Sequence, residues 1–293
     1  MSARDILLAL FVVVIWGLNF VAIKWGVEEM PPLLLTALRY LAAAFPAVLL
    51  VKPPKVALPV LLVYGLAVGV LQFGLLFSAV HLGMPAGLSS LVMQVQAFFT
   101  IALAVLFLGE RPGVPQLAGA VIAFAGIGVI ALERLEGAAL VPLLMTVGAA
   151  FFWGVSNIAT KKAGKVDMFA FVVWGSLVPP LPLLALSLLL EGPDAMMAGL
   201  THMSLRTVGS IAFLGYCATL MGYGLWSYLL GRYPASVVAP FSLLVPIVGM
   251  ASAVAILGEP LSLIEVLGSG LVFAGLLLNV FGPRMLRRLA PAQ

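Results

Sequence analysis

Charge is scarce in this sequence. Asp, Glu, Lys and Arg make up 9% of its 293 residues, against roughly a quarter in a soluble globular domain. With 63% hydrophobic residues and a mean hydropathy of +1.20, nothing polar is left to cover a water-facing surface. That excludes a soluble globule built of buried helices. Cysteine and histidine are nearly missing as well. A lone Cys217 forms no intramolecular disulfide and says nothing about redox compartment. There is no His-Glu-x-x-His, no pair of intramembrane aspartates, no Gly-x-Ser-x-Gly and no Cys/His cluster. Nucleophile, base and metal ligands are therefore all wanting, so neither an enzyme nor a cofactor is expected. The net charge of +4 is spread over loops and gives no basic patch for nucleic acid.

What the chain does have is long apolar runs. A helix crosses the hydrocarbon in about 20 residues. Runs bounded by charge, Pro or Gly predict ten spans, near residues 5–26, 33–51, 57–81, 86–108, 114–132, 138–160, 168–190, 206–230, 236–257 and 262–282. Arg4 and the apolar stretch after it resemble a signal peptide. However, Trp16, Asn19, Phe20 and Lys24 stand where a small-residue cleavage site would be, so the segment is expected to be retained.

The runs also repeat. Pro85 to Gly126 matches Pro234 to Gly275 at an offset of 149 residues. Leu108-Gly109-Glu110 returns as Leu257-Gly258-Glu259, and Phe124-Ala125-Gly126 as Phe273-Ala274-Gly275. Upstream, Trp16-Gly17 to Lys24 matches Trp153-Gly154 to Lys161 at an offset of 137. The expected architecture is an all-α membrane protein of ten transmembrane helices, arranged as two five-helix repeats, residues 1–136 and 137–293. Five is odd, so the second repeat is inverted relative to the first.

Basic residues set the orientation. With the N-terminus inside, Arg4, Lys52, Lys55, Arg111, Lys161, Lys162, Lys165, Arg232, Arg284, Arg287 and Arg288 are cytoplasmic. Only Lys24, Arg134 and Arg206 are outside, and Arg39 lies within a helix. Both termini are thus expected in the cytoplasm.

Taken together, the duplicated five-helix unit, the Trp-Gly-x-Asn-Phe-x-x-x-Lys run at Trp16 to Lys24, the Pro-Ala entry to the fourth span and the Leu-Gly-Glu that closes it form a pattern. It resembles the drug/metabolite transporter superfamily, specifically the EamA-type ten-helix exporters, the aromatic amino-acid exporter branch included. The resemblance covers nearly the whole chain. It departs from the pattern at Ser156, which stands where the first copy has Asn19, and at Ala97, where the second copy has Pro246. The resemblance implies a carrier in a bacterial inner membrane that moves small organic solutes, typically outward, by alternating access. It also implies a cavity lined by the first, third, fourth, sixth, eighth and ninth spans.

Polar and aromatic residues deep in a span gain nothing from facing lipid. Trp16, Asn19, Phe20 and Ile23 fall on one face of the first span, and Trp153, Ser156, Asn157 and Thr160 on one face of the sixth. Tyr216, Thr219, Tyr223 and Trp226 form a stripe on the eighth. Ser89, Met93, Gln96 and Thr100 do so on the fourth, with Ser242 at the repeat-related place on the ninth. Gln72 sits inside the third. These stripes are expected to meet at the midplane, although bonding between helices is the competing reading for each residue. Tyr228 and Tyr233 read as interfacial anchors. Gly65, Gly69, Gly119 and Gly268 read as places of close helix packing.

Charged residues are few enough to treat singly. Arg39 is expected to snorkel or to brace its helix rather than touch a solute. Glu110 and Glu259 are expected to cap helix N-termini across the bundle, with gating as the alternative. Lys24 and Lys161 are expected to snorkel, or to hold a gate. The lining that remains is neutral, which suits a neutral or zwitterionic solute with an apolar body; hydrophobic and aromatic amino acids fit that description. An organic-cation or multidrug carrier is the alternative, and lacks an acid at the right depth. Without a titratable group among the stripes, facilitated movement is expected over tight proton coupling; His81 and His202 lie at a span edge and in a loop. The expected partners are the lipid bilayer and a small solute, with the chain acting as a monomer. Ion channels use charge rings or carbonyl filters, usually from oligomers, and a flippase or scaffold would have no use for midplane polar stripes.

Overall fold

A computed structural model describes the backbone of residues 1–133 and 140–289, and the side chains within these ranges except at 235–236 and 283–289. Arg134, Arg284, Arg287 and Arg288 of the charge argument lie outside the described side chains, and the expected boundary between residues 136 and 137 lies outside the described residues. The described chain is helical, without a strand. Ten helices are long and apolar enough to cross a membrane: Ala3–Glu29, Pro32–Leu50, Leu58–His81, Ala86–Leu108, Val114–Glu133, Leu140–Ala163, Met168–Leu190, Leu205–Arg232, Ala239–Leu257 and Leu263–Gly282. They are called here the first to tenth spans. A short helix, Pro193–Thr201, joins the seventh to the eighth.

Local sequence explains where these helices begin and end. Ser2, Asp167 and Ser204 accept backbone N–H groups at the first, seventh and eighth N-termini. Prolines open the second and third spans, where a missing N–H costs nothing. Gly109 and Gly258 close the fourth and ninth spans at φ +68° and +66°, a conformation that a Cβ disfavours. These two glycines are repeat partners, so the Leu-Gly-Glu duplicated in sequence is a duplicated helix stop.

The repeat extends to the irregularities. The third span winds as a π-helix from Leu66 to Gln72, and its counterpart, the eighth, does so from Phe213 to Met221. The fourth tightens to a 3-10 turn at Met93–Val95 and the ninth at Ala239–Leu244. Such departures from 3.6 residues per turn rotate the side chains on either side relative to one another, and they gather at functional sites. The two repeats of opposite orientation therefore share these breaks, although the ninth span also winds as a π-helix at Ala253–Leu257, where the fourth stays α-helical.

Small residues bring helices together. A Cβ on Gly119 would lie 2.6 Å from the Gly275 carbonyl oxygen, and one on Gly126 would lie 2.6 Å from that of Gly268. The 149-residue offset exchanges these two contacts, so the fifth and tenth spans cross on the axis relating the halves. Gly65 and Gly69 receive Val178 and Pro179 of the seventh span. The outer surface is aliphatic: Leu49, Leu106, Val121 and Leu181 are each more than 70% exposed. In water such a surface would aggregate; in hydrocarbon it is the expected solvent face.

Candidate functional site

Aromatic and polar side chains meet where the two halves face each other. Trp16, on the first span, donates its indole N–H to the carbonyl of Ala218 at 3.0 Å. Its ring lies 5.4 Å from that of Tyr223 and 5.1 Å from that of Trp226, tilted at 56° and 52°. The π-wound stretch of the eighth span supplies this acceptor. There a backbone carbonyl can serve a side chain without breaking a regular helix ladder. Phe20, one turn on from Trp16, is buried, as is Asn19.

A second group is amide-based. Asn157 of the sixth span donates to Gln96 Oε1 at 2.7 Å and to Thr100 Oγ1 at 3.0 Å, both on the fourth span. Thr100 is held by its own helix through the Gln96 carbonyl at 2.8 Å. These three side chains remain half-buried, so they bond across the halves while keeping some surface free.

A third group surrounds Arg39. The expected snorkelling does not occur. Arg39 is only 2% exposed, and Nη2 donates to Thr219 Oγ1 at 2.9 Å. The guanidinium lies 4.1 Å from the ring centre of Phe73, 5.0 Å from Tyr40 and 5.6 Å from Phe77. Nε and Nη1 have no hydrogen-bond partner, and among the described residues no carboxylate pairs with it. Cation–π contacts contribute about 0.5–2 kcal/mol each, whereas burying an ion costs several kcal/mol. The charge is therefore under-compensated. A small chamber of about 10 Å³ adjoins it, walled by Tyr40, Tyr64, Phe73, Thr219 and Tyr223, with room for about one water. Tyr223 thus belongs both to this chamber and to the Trp16 stack. The neutral lining read from the sequence is interrupted by a cation.

The remaining expected residues divide. Met93 is fully packed core, and Trp153 packs against that core. Ser156 and Ser242 return their hydroxyls to their own helices, to the carbonyls of Trp153 and Ala239 at 2.8 and 2.7 Å. Gln72 is buried with Oε1 unpartnered. Tyr216 does not join the group: it is 44% exposed, like Val208, Met221 and Tyr228 of the same span. The cause is the π winding between 213 and 221, which puts out of phase a stripe drawn at 3.6 residues per turn. Sequence reading missed Tyr40 and Tyr64. The signals were an Arg-Tyr pair inside one apolar run and a tyrosine a turn and a half into another.

Both ends of the bundle are tied across the halves. At the end opposite the termini, Glu259 accepts the backbone N–H groups of Ala86 at 2.8 Å and Gly87 at 3.0 Å, capping the fourth span as its position implied. Glu191 does the same for Leu33 at 2.7 Å, and Arg206 pairs with Glu28 at 2.6 Å. Lys24 stays 3.8 Å from Glu28 on its own helix. At the terminal end Tyr233 donates to Asp5 at 2.6 Å, so this tyrosine, read as an interfacial anchor, also latches the first span to the eighth. Glu110, expected to cap a helix as Glu259 does, instead pairs with Lys161 at 2.9 Å, both well exposed.

Comparison with known proteins identifies the family. The model of the EamA-like transporter family matches twice, over residues 4–132 and 140–281. A probable amino-acid metabolite efflux pump of Salmonella typhimurium is 48% identical over 293 residues, covering 98% of each chain. One of the same description from Escherichia coli is 46% identical, covering 97% of each. A probable terminal-alkyne amino-acid exporter of Streptantibioticus cattleyicolor is 28% identical over 278 residues, covering 91% of this chain and 90% of its own. A protein known from a crystal structure superposes over 100% of both chains with a TM-score of 0.65 at 20% identity, which speaks to the fold alone. With two matches that span nearly all of it, this chain belongs to the EamA-like transporter family, and is an integral membrane transporter rather than an enzyme.

Proposed function

We propose that this transporter exports small amino-acid metabolites, best those with hydrophobic or aromatic bodies, across the bacterial inner membrane by alternating access. The chain acts alone, with both termini in the cytoplasm, and movement follows the solute gradient. One observation carries the reading. The ring cluster of Trp16, Tyr223 and Trp226 joins the two halves at depth, so a solute stacked there would be released by their relative motion. The names of the relatives from Salmonella typhimurium and Escherichia coli point the same way. Gln96 and Asn157 supply polar groups that also bridge the halves. An organic-cation carrier is disfavoured, because a buried Arg39 without a counter-charge would repel its cargo. The test is a competition panel in proteoliposomes, with labelled phenylalanine against amino acids, purines and organic cations. Saturable uptake displaced by apolar amino acids is expected. Displacement by cations or purines alone contradicts the proposal.

A further inference from the structure

Arg39 is the group that the ring-lined site leaves unexplained. It is 2% exposed, gives one hydrogen bond, to Thr219, and keeps Nε and Nη1 without partners. A residue kept only to brace helices would be expected to use its donors on carbonyls or a carboxylate, because each unmet one adds to the burial penalty. Here rings occupy those sides instead. The chamber beside it shares Tyr223 with the Trp16 cluster, so an anion on the guanidinium and an apolar body on the indoles would be held by one continuous surface.

We propose that Arg39 receives the carboxylate of the transported solute, which makes a free carboxyl group, rather than an ammonium, the obligatory recognition element. This rests on the export reading above. A guanidinium gives a carboxylate charge-assisted hydrogen bonds that a neutral amide cannot replace. At about 10 Å³ the chamber is too tight for a carboxyl group in this conformation, so loading takes place as the second and eighth spans part. Thr219 lies in the π-wound stretch Phe213–Met221 of the eighth span.

The test uses the full chain in proteoliposomes. L-phenylalanine, L-leucine and L-serine are each offered as the free acid, the N-acetyl acid and the carboxamide. The wild type is expected to take N-acetyl acids, and to take carboxamides roughly tenfold to a hundredfold less well than acids. Arg39→Met should bring acid and amide to parity, while Arg39→Lys, which keeps a cation in place, should retain part of the preference. Amides moved as well as acids by the wild type overturn the assignment and leave the export reading intact. An acid preference that survives in Arg39→Met overturns it too. Movement of none of these compounds overturns both.

Discussion

A tryptophan deep in a span needs an acceptor for its N–H, and Trp16 finds one 202 residues away in the carbonyl of Ala218. Replacing it with phenylalanine keeps most of the ring contact and removes that bond. The expected loss is about 1 kcal/mol of stability, read as a small fall in melting temperature in detergent, with a larger fall in transport because the ring cluster is no longer held in register. Unchanged transport with unchanged stability would show the bond to be incidental. At this scale the sequence pointed to Trp16, Gln96 and Asn157 as residues with a polar partner to find, since rings and amides inside apolar runs have few uses, and each bonds a residue of another span. It misled at Arg39. Counting charges treats a lone arginine as a burden to be relieved at the membrane edge. Nothing in the one-dimensional string shows that Phe73, Tyr40 and Phe77 fold around it.

Elements obey different rules from residues. Span positions were legible because an apolar run of the right length leaves little choice, and the observed helices fall within a few residues of those expected. The phase of the eighth span was not, because its π-wound stretch depends on packing against the second span. There Gly215 lies under Arg39 and Ala42, and no residue type announces it. Tyr216 was therefore placed on the wrong face. The glycine crossing of the fifth and tenth spans gives a clean prediction. Gly126→Ala puts a Cβ 2.6 Å from the Gly268 carbonyl oxygen, and overpacking of this kind costs about 1–3 kcal/mol. Gly128→Ala, two residues on, meets nothing within 4 Å and should stabilise the helix by up to about 1 kcal/mol. Thermal unfolding of the two variants should move in opposite directions. A fall in both would mean that the crossing is not what limits stability.

In the whole molecule, the two halves are tied at both ends. The Glu259 cap on the fourth span uses two charge-assisted bonds. Its loss in Glu259→Gln should cost about 1–3 kcal/mol and raise labelling of a cysteine introduced at that end. The exposed Lys161–Glu110 pair is the weaker tie, and Glu110→Gln should change labelling at its own end far less. Equal effects would contradict that ranking. The duplicated five-helix unit implies two opposed halves, since a repeat of five crossings must invert; which latches are buried and which are solvated depends on contacts between residues far apart in the chain. The most direct test of a solute site between the halves is efflux of labelled phenylalanine from loaded proteoliposomes by wild type, Tyr223→Ala and Tyr228→Ala. Saturable efflux should persist in Tyr228→Ala, whose ring is on the exposed face, and fall at least tenfold in Tyr223→Ala. Equal efflux by all three would place the transport path elsewhere in the bundle.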